Sequence, residues 1–232
     1  MRTIRKTTEP RELREWRARY QNDPNYGYDL LRQDHAVTEA LTRQLVEEQG
    51  SLCAYTGRRI DAANAHLEHV NAQTHCTRGE DVDYGNLVAC YPGPNTGQVA
   101  YGAHRKGSWP FPDERYLFVS PLINGCKERF TYNWRGEISS VSAGDTAAAT
   151  TIDRLNLRNG ELTAMRKAAI DGVLGETRNL SLKEARRKLR DLEQATTGRL
   201  VPFCFAVKPA LRKFIRTIEA IRASKRTKRQ GT

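Results

Sequence analysis

The chain has 232 residues, 38% of them hydrophobic, and a formal charge of +11 from 38 Lys and Arg against 27 Asp and Glu. No run of roughly 18 apolar residues occurs, so no membrane span is expected, and the opening M-R-T-I-R-K-T-T-E-P lacks the apolar segment of a secretory signal. Five cysteines at scattered spacings argue against a disulfide framework and for the reduced cytoplasm.

The apolar content suffices for one or two modest cores. Excess positive charge favours a polyanionic partner, of which nucleic acid is the commonest. A basic protein without such a ligand is the alternative.

Residues 1–50 read as a helical arm. Pro10 suits a first helical turn, and Leu13 and Trp16 fall on one face of a helix over Arg11–Tyr20. Asn22 to Gly27 is a loop by its turn residues. A second helix is expected over Ala36–Glu48, with Val37, Leu41 and Leu45 on one face and Gly50 ending it. Seven basic residues stand in the first twenty positions against three acids. They read either as a nucleic-acid contact or as a solvated helix face.

Residues 51–145 form the middle of the chain. Ala65–Val70 alternates like a strand, placing His66 and Glu68 on one face and Leu67 and His69 on the other. Glu80, Asp81 and Asp83 lie in a turn-rich loop with no calcium-loop spacing, and read as a solvated tip. Asn86 opens a short apolar run, Leu87–Cys90, expected to be a second strand. Pro92 to Gly97 reads as a rigid surface loop. His104 precedes Arg105-Lys106-Gly107, where a short helix is expected to stop before Trp109-Pro110-Phe111-Pro112. Further strands are expected at Tyr116–Val119, Phe130–Trp134 and from Ile138. Their aromatics read as core or as a stacking surface for bases.

Residues 146–232 read as a helical region with a basic tail. A helix pair over Thr151–Val173 is broken near Asn159-Gly160. Ser181 with Glu184 forms a capping box for a helix over Ser181–Ala195. Pro209–Ala223 follows with an apolar face. The stretch Arg222–Arg229 has five positive charges and no acid, and reads as a disordered tail that grips phosphate or aids solubility.

The chemistry concentrates between His66 and Gly107. A carboxylate and an imidazole side by side at a strand end, Glu68 and His69, bring a cation and a base within reach of one phosphate. Strand, strand and helix around a metal make a site for phosphodiester cleavage. Neutral imidazole accepts a proton near neutral pH, which suits His69 to a general base.

The order His69, Asn86, His104, with E-H, N-L-V-A-C and H-R-K-G, resembles the HNH endonucleases of the ββα-metal fold. L-C-A-Y-T-G-R-R-I before and L-N-L-R-N-G-E-L-T-A-M-R after extend the likeness to the PtuB nuclease component of Septu-type anti-phage defence systems, over roughly residues 1–174. The resemblance implies an α+β fold with a ββα-metal core and helical arms. It implies that Glu68 and His104 hold a divalent ion, Mg or Mn, that His69 activates water, and that Asn86 braces the loop. Arg105 and Lys106 would hold substrate phosphates. His66 either stands behind the ligands, touches phosphate, or is a plain surface strand residue. The partner implied is a PtuA-type ABC-class ATPase.

The chain departs from the family at its zinc knuckle. Cys53 and Cys90 remain, but Thr56 and Ala103 stand where the other two thiolates belong, so structural zinc is not expected. DNA is the favoured substrate, with RNA such as tRNA the other choice. The alternatives to a nuclease are a nucleic-acid-binding module without catalysis and a subunit that docks on the ATPase.

Overall fold

The computed structural model describes residues 1–175, 180–194 and 198–230. The fold is α+β, with two small antiparallel sheets among eight helices in the described residues. No helix there is long and apolar enough to cross a membrane.

Helix α1 (Arg11–Tyr20) follows Pro10, whose fixed φ leads into the first turn, and buries Leu13 and Trp16. A short turn of helix, α2 (Tyr28–Leu31), precedes α3 (His35–Glu48). Asp34 caps α3 by accepting from the Val37 amide at 3.2 Å, and Val37, Leu41 and Leu45 form its buried face. Gly50 then turns left-handed at φ +65°, where a Cβ would meet Leu200 at 2.5 Å. Only glycine fits both the dihedral and the space.

Strand β1 (His66–His69) pairs antiparallel with β2 (Leu87–Cys90), with His66 opposite Cys90 and His69 opposite Leu87. Every residue of β2 is buried. Outside its pairing with β1, β2 is held by the Ala54 amide, which donates to the Ala89 carbonyl at 3.2 Å, and by a side chain. Gln49 is fully buried, donates to the Ala89 carbonyl (2.8 Å) and the Leu52 carbonyl (2.9 Å), and accepts from the Ala89 amide at 2.7 Å. One amide thus satisfies three backbone groups and fixes the end of α3 against the central strand.

Helix α4 (Ala103–Lys106) is a single turn between Gly102 (φ +68°) and Gly107 (φ +54°). Strands β3 (Phe130–Tyr132) and β4 (Ile138–Ser140) make the second sheet. The expected strand at Tyr116–Val119 does not form. Pro112–Leu117 is a 3-10 helix, opened by a proline with Asp113 and Glu114 in its first turn. Tyr116 is 77% exposed, so that apolar run is not a buried strand.

Helices α5 (Thr146–Arg154) and α6 (Gly160–Leu174) are capped by Asp145 and Asn159. The expected capping box forms at α7 (Leu182–Gln194): Glu184 accepts from the Ser181 amide, and the Ser181 hydroxyl accepts from the Glu184 amide. The expected end of that helix, Ala195, lies outside the described residues. Helix α8 (Cys204–Gln230) continues through the stretch expected to be a disordered tail, whose side chains from 225 onward lie outside the described residues.

One hydrophobic cluster runs from Ile4 and Leu13 through β2 to Leu211 and Ile215, so both helical arms share the central core. Replacing Gln49 by Leu orphans the Ala89 amide and the Leu52 carbonyl, while the Ala89 carbonyl keeps the Ala54 amide at 3.2 Å. We expect a loss of about 2–4 kcal/mol in urea unfolding, since each unsatisfied group costs about 1–3 kcal/mol and partial relaxation recovers some of it.

Candidate active site

The pleat of β1 divides the predicted residues between two faces. On one face stand His66 and Glu68, with α4 beyond them. Glu68 Oε2 lies 3.7 Å from His66 Nε2, and the rings of His66 and His104 stack at 5.8 Å. The His66 Nδ1 donates to the Pro92 carbonyl, so a neutral ring presents the Nε2 lone pair to Glu68. Burial lowers the His66 pKa, but Glu68 and the Pro92 carbonyl outweigh it and hold the group above its ordinary value.

Lys106 is the residue whose place differs most from expectation. It was expected on the surface as a phosphate contact, and instead it is 4% exposed. Its ammonium bonds Glu68 Oε1 at 2.9 Å and the His69 carbonyl at 2.8 Å. The reason is the shortness of α4: its single turn carries Lys106 back under β1, while Arg105 remains exposed. Burial raises the Glu68 pKa, but His66 and Lys106 overcome this and hold the carboxyl below its ordinary value. Tyr55 lies close as well, its hydroxyl 3.4 Å from Glu68 Oε1.

On the other face, the His69 ring is clamped. Its Nε2 donates to the Asp81 carbonyl at 2.9 Å, which leaves Nδ1 with the lone pair in the neutral form. The Tyr28 ring meets it edge-on at 4.5 Å. Burial pulls the His69 pKa below its ordinary value, against the opposing pull of the Asp81 carbonyl. The shift favours the neutral imidazole.

Asn86 braces this loop as expected. Its Oδ1 accepts from the Asn71 amide at 2.7 Å, and its Nδ2 donates to the carbonyls of Asn71 (3.1 Å) and Glu80 (3.2 Å). The loop read as a solvated tip is in fact structural. Besides holding His69, Asp81 accepts from the Tyr28 amide at 2.7 Å through its carboxylate. Glu80 accepts from Asn71 Nδ2 at 2.6 Å and from the Thr77 amide at 3.0 Å. Tyr28, Asn71, Glu80 and Asp81 were missed as site residues because each bond spans a loop, and periodicity carries no signal of loop closure.

The remnants of the knuckle converge. Cys53 and Cys90 are both buried free thiols, and the Tyr91 amide donates to Cys53 Sγ at 3.4 Å. A Cβ on Gly102, beside Ala103, would lie 3.0 Å from the Thr56 methyl. Burial raises the Cys53 pKa, but bonds from Cys90, Thr56 and the Tyr91 amide hold it below its ordinary value; burial and Cys53 push Cys90 up.

A divalent ion at this site would meet Glu68, His66 and His104. One carboxylate and two imidazoles suit a transition ion better than magnesium. Among the described residues, no three His, Cys, Asp or Glu side chains form a ready metal cluster. The donor chemistry fits in part: His66 Nε2 carries a lone pair, but His104 Nδ1 accepts from the Val99 amide at 3.3 Å, which leaves the ring proton on Nε2, and the Lys106 ammonium stands on one of the Glu68 oxygens.

Replacing Lys106 by Met should expose the worth of this pair. Removing one partner of a buried ion pair costs about 3–5 kcal/mol, and we expect the lower end at pH 7 because Glu68 keeps His66. The depressed Glu68 pKa stabilises the fold above the unfolded value, and that contribution is lost as pH falls through the folded value. The deficit of Lys106→Met, followed by urea unfolding from pH 7 to pH 4, should therefore shrink toward acid.

Compared with known proteins, the chain matches no protein-family model and no curated protein.

Proposed function

We propose that the chain is a metal-dependent endonuclease of the HNH type that hydrolyses phosphodiester bonds in nucleic acid, DNA in preference to RNA. The observation that carries this reading is the His69 imidazole, kept neutral by burial with its Nδ1 lone pair unclaimed, directly after the Glu68 carboxylate at the end of a strand. The antiparallel pair β1–β2 followed by the single turn α4 supports it, with His104 on that turn.

The proposed reaction uses the two faces of β1 together at its end. The substrate phosphate lies across that end. His69 Nδ1 accepts a proton from the attacking water as the new P–O bond forms. The bond from phosphorus to the leaving sugar oxygen breaks, and that oxygen takes a proton from solvent. The Asp81 carbonyl fixes the tautomer of the base, and Asn86 holds the loop that carries Asp81. Arg105, exposed on α4, meets a neighbouring phosphate. Glu68 and His104, with His66 beside them, would hold the divalent ion. When bound, the ion supplies Lewis-acid stabilisation of the charge on the phosphoryl oxygens. The ATPase partner belongs to the same proposal and rests on the resemblance alone.

A second reading, a nucleic-acid-binding module that does not cleave, is favoured by one observation: the Lys106 ammonium already neutralises Glu68. Nicking of supercoiled plasmid separates the two. The nuclease reading expects nicking with manganese, loss in chelator, and a drop of about 10²–10⁴ in rate for His69→Ala. Glu68→Ala should regain activity at high metal concentration, and His69→Ala should not. The rate should rise with pH through a midpoint below the ordinary imidazole value of about 6.5, because the base works in its neutral form. No nicking under any metal supports the second reading.

A further inference from the structure

The net charge of the chain is not spread along it. Residues 181–232 hold 15 of the 38 Lys and Arg and only 4 of the 27 Asp and Glu. That segment carries a net +11, the whole formal charge of the protein, and the first 180 residues are neutral in sum. Helices α7 and α8 make up most of the segment and pack on one another.

A cavity of about 380 Å³ opens between these helices, lined by Ser181, Leu182, Lys183, Arg186, Arg190 and Arg222. Four of its six lining residues are cations, and all four are exposed. Arg186 is paired with Glu219. No acidic partner is seen for Lys183, Arg190 or Arg222 among the described residues. The Ser181 hydroxyl and amide are committed to Glu184 in the capping box, so the grip comes from the side chains rather than from the helix end. Cations that converge without acids repel one another, and an anion between them relieves that repulsion. Arginine forks match phosphate oxygens in pairs.

We infer that this cavity is a second phosphate-binding site, which holds the sugar–phosphate backbone of a nucleic acid away from β1 and α4. The segment is firmly tied to the middle of the chain. The Phe203 amide donates to the Gly57 carbonyl at 3.1 Å, and the Leu200 amide to the Gly50 carbonyl at 3.0 Å. Phe205 packs where a Cβ on Gly57 would stand. A backbone held on α7 and α8 therefore has a fixed relation to the residues that precede β1. The inference stands on charge and shape, and it holds whether or not the chain cleaves.

The test is binding of a fluorescein-labelled 30-base-pair duplex to the full chain in chelator, so that cleavage plays no part. The triple variant Lys183→Glu, Arg190→Glu, Arg222→Glu is compared with Arg5→Glu, Arg14→Glu, Arg19→Glu, an equal charge change on exposed cations of the N-terminal arm. The site predicts at least about 10-fold weaker binding for the first triple at 100 mM salt. It also predicts a fall of about 3 in the slope of log affinity against log salt, since each phosphate contact contributes about 0.9. The second triple should change affinity far less. Alanine versions of the three residues, checked for an unchanged melting curve, cover a charge reversal that disturbs folding. Equal loss in both triples means net charge alone and overturns the site. So does no loss in the first, or displacement of the duplex by polyglutamate as efficiently as by unlabelled duplex, which would assign the surface to an acidic protein.

Discussion

The site depends on one buried ammonium. Lys106 joins the backbone carbonyl of His69 to the carboxylate of Glu68, and so ties α4 to the end of β1. A lysine that is 4% exposed is costly unless its charge is matched and its protons are bonded. Here adjacent residues of one strand match the charge and take two of the protons. The same bond sets the orientation of the strand end, and with it the direction in which His69 leaves the backbone.

Around this tie, the two faces of β1 are built by different means. The Glu68 face is electrostatic: a carboxylate held ionised by Lys106 and His66, with His104 stacked beyond. The His69 face is steric and hydrogen-bonded, made by the loop from Asn71 to Asn86 and by Tyr28 from the N-terminal arm. Asp81 supports the His69 face twice: its carbonyl holds the imidazole and its carboxylate holds the arm. The arm is thus part of the site's support, and helix α3 contributes through Gln49 on β2.

Sequence patterns identified the elements well where a local signal exists. Helix α1 and strand β2 fall at their expected bounds, and the Ser181–Glu184 box forms as read. They failed where the deciding contact is distant. An apolar run at Tyr116–Val119 has the composition of a strand, yet among the described residues no partner strand pairs with it, and the preceding proline starts a 3-10 helix instead. Lys106 in an H-R-K-G string reads as an exposed cation because the string says nothing of its partners, the Glu68 carboxylate and the His69 carbonyl, which lie far back in the chain. Asp81 in a polar loop reads as solvated because the bond from His69 closes across twelve residues. The bracing role of Asn86 came from the resemblance, while its place before the apolar run by itself reads equally as the end of a turn.

The central claim is that burial keeps His69 a neutral imidazole against the pull of the Asp81 carbonyl, which holds the proton on Nε2 and leaves Nδ1 free. Nitrogen-15 spectroscopy of histidine-labelled protein, titrated from pH 4 to pH 8 and assigned with His69→Gln, tests this directly. The account predicts a His69 ring protonated only at Nε2 at pH 7, with a pKa below the ordinary value of about 6.5. A His69 signal protonated at Nδ1, or one still doubly protonated at pH 7, would contradict it.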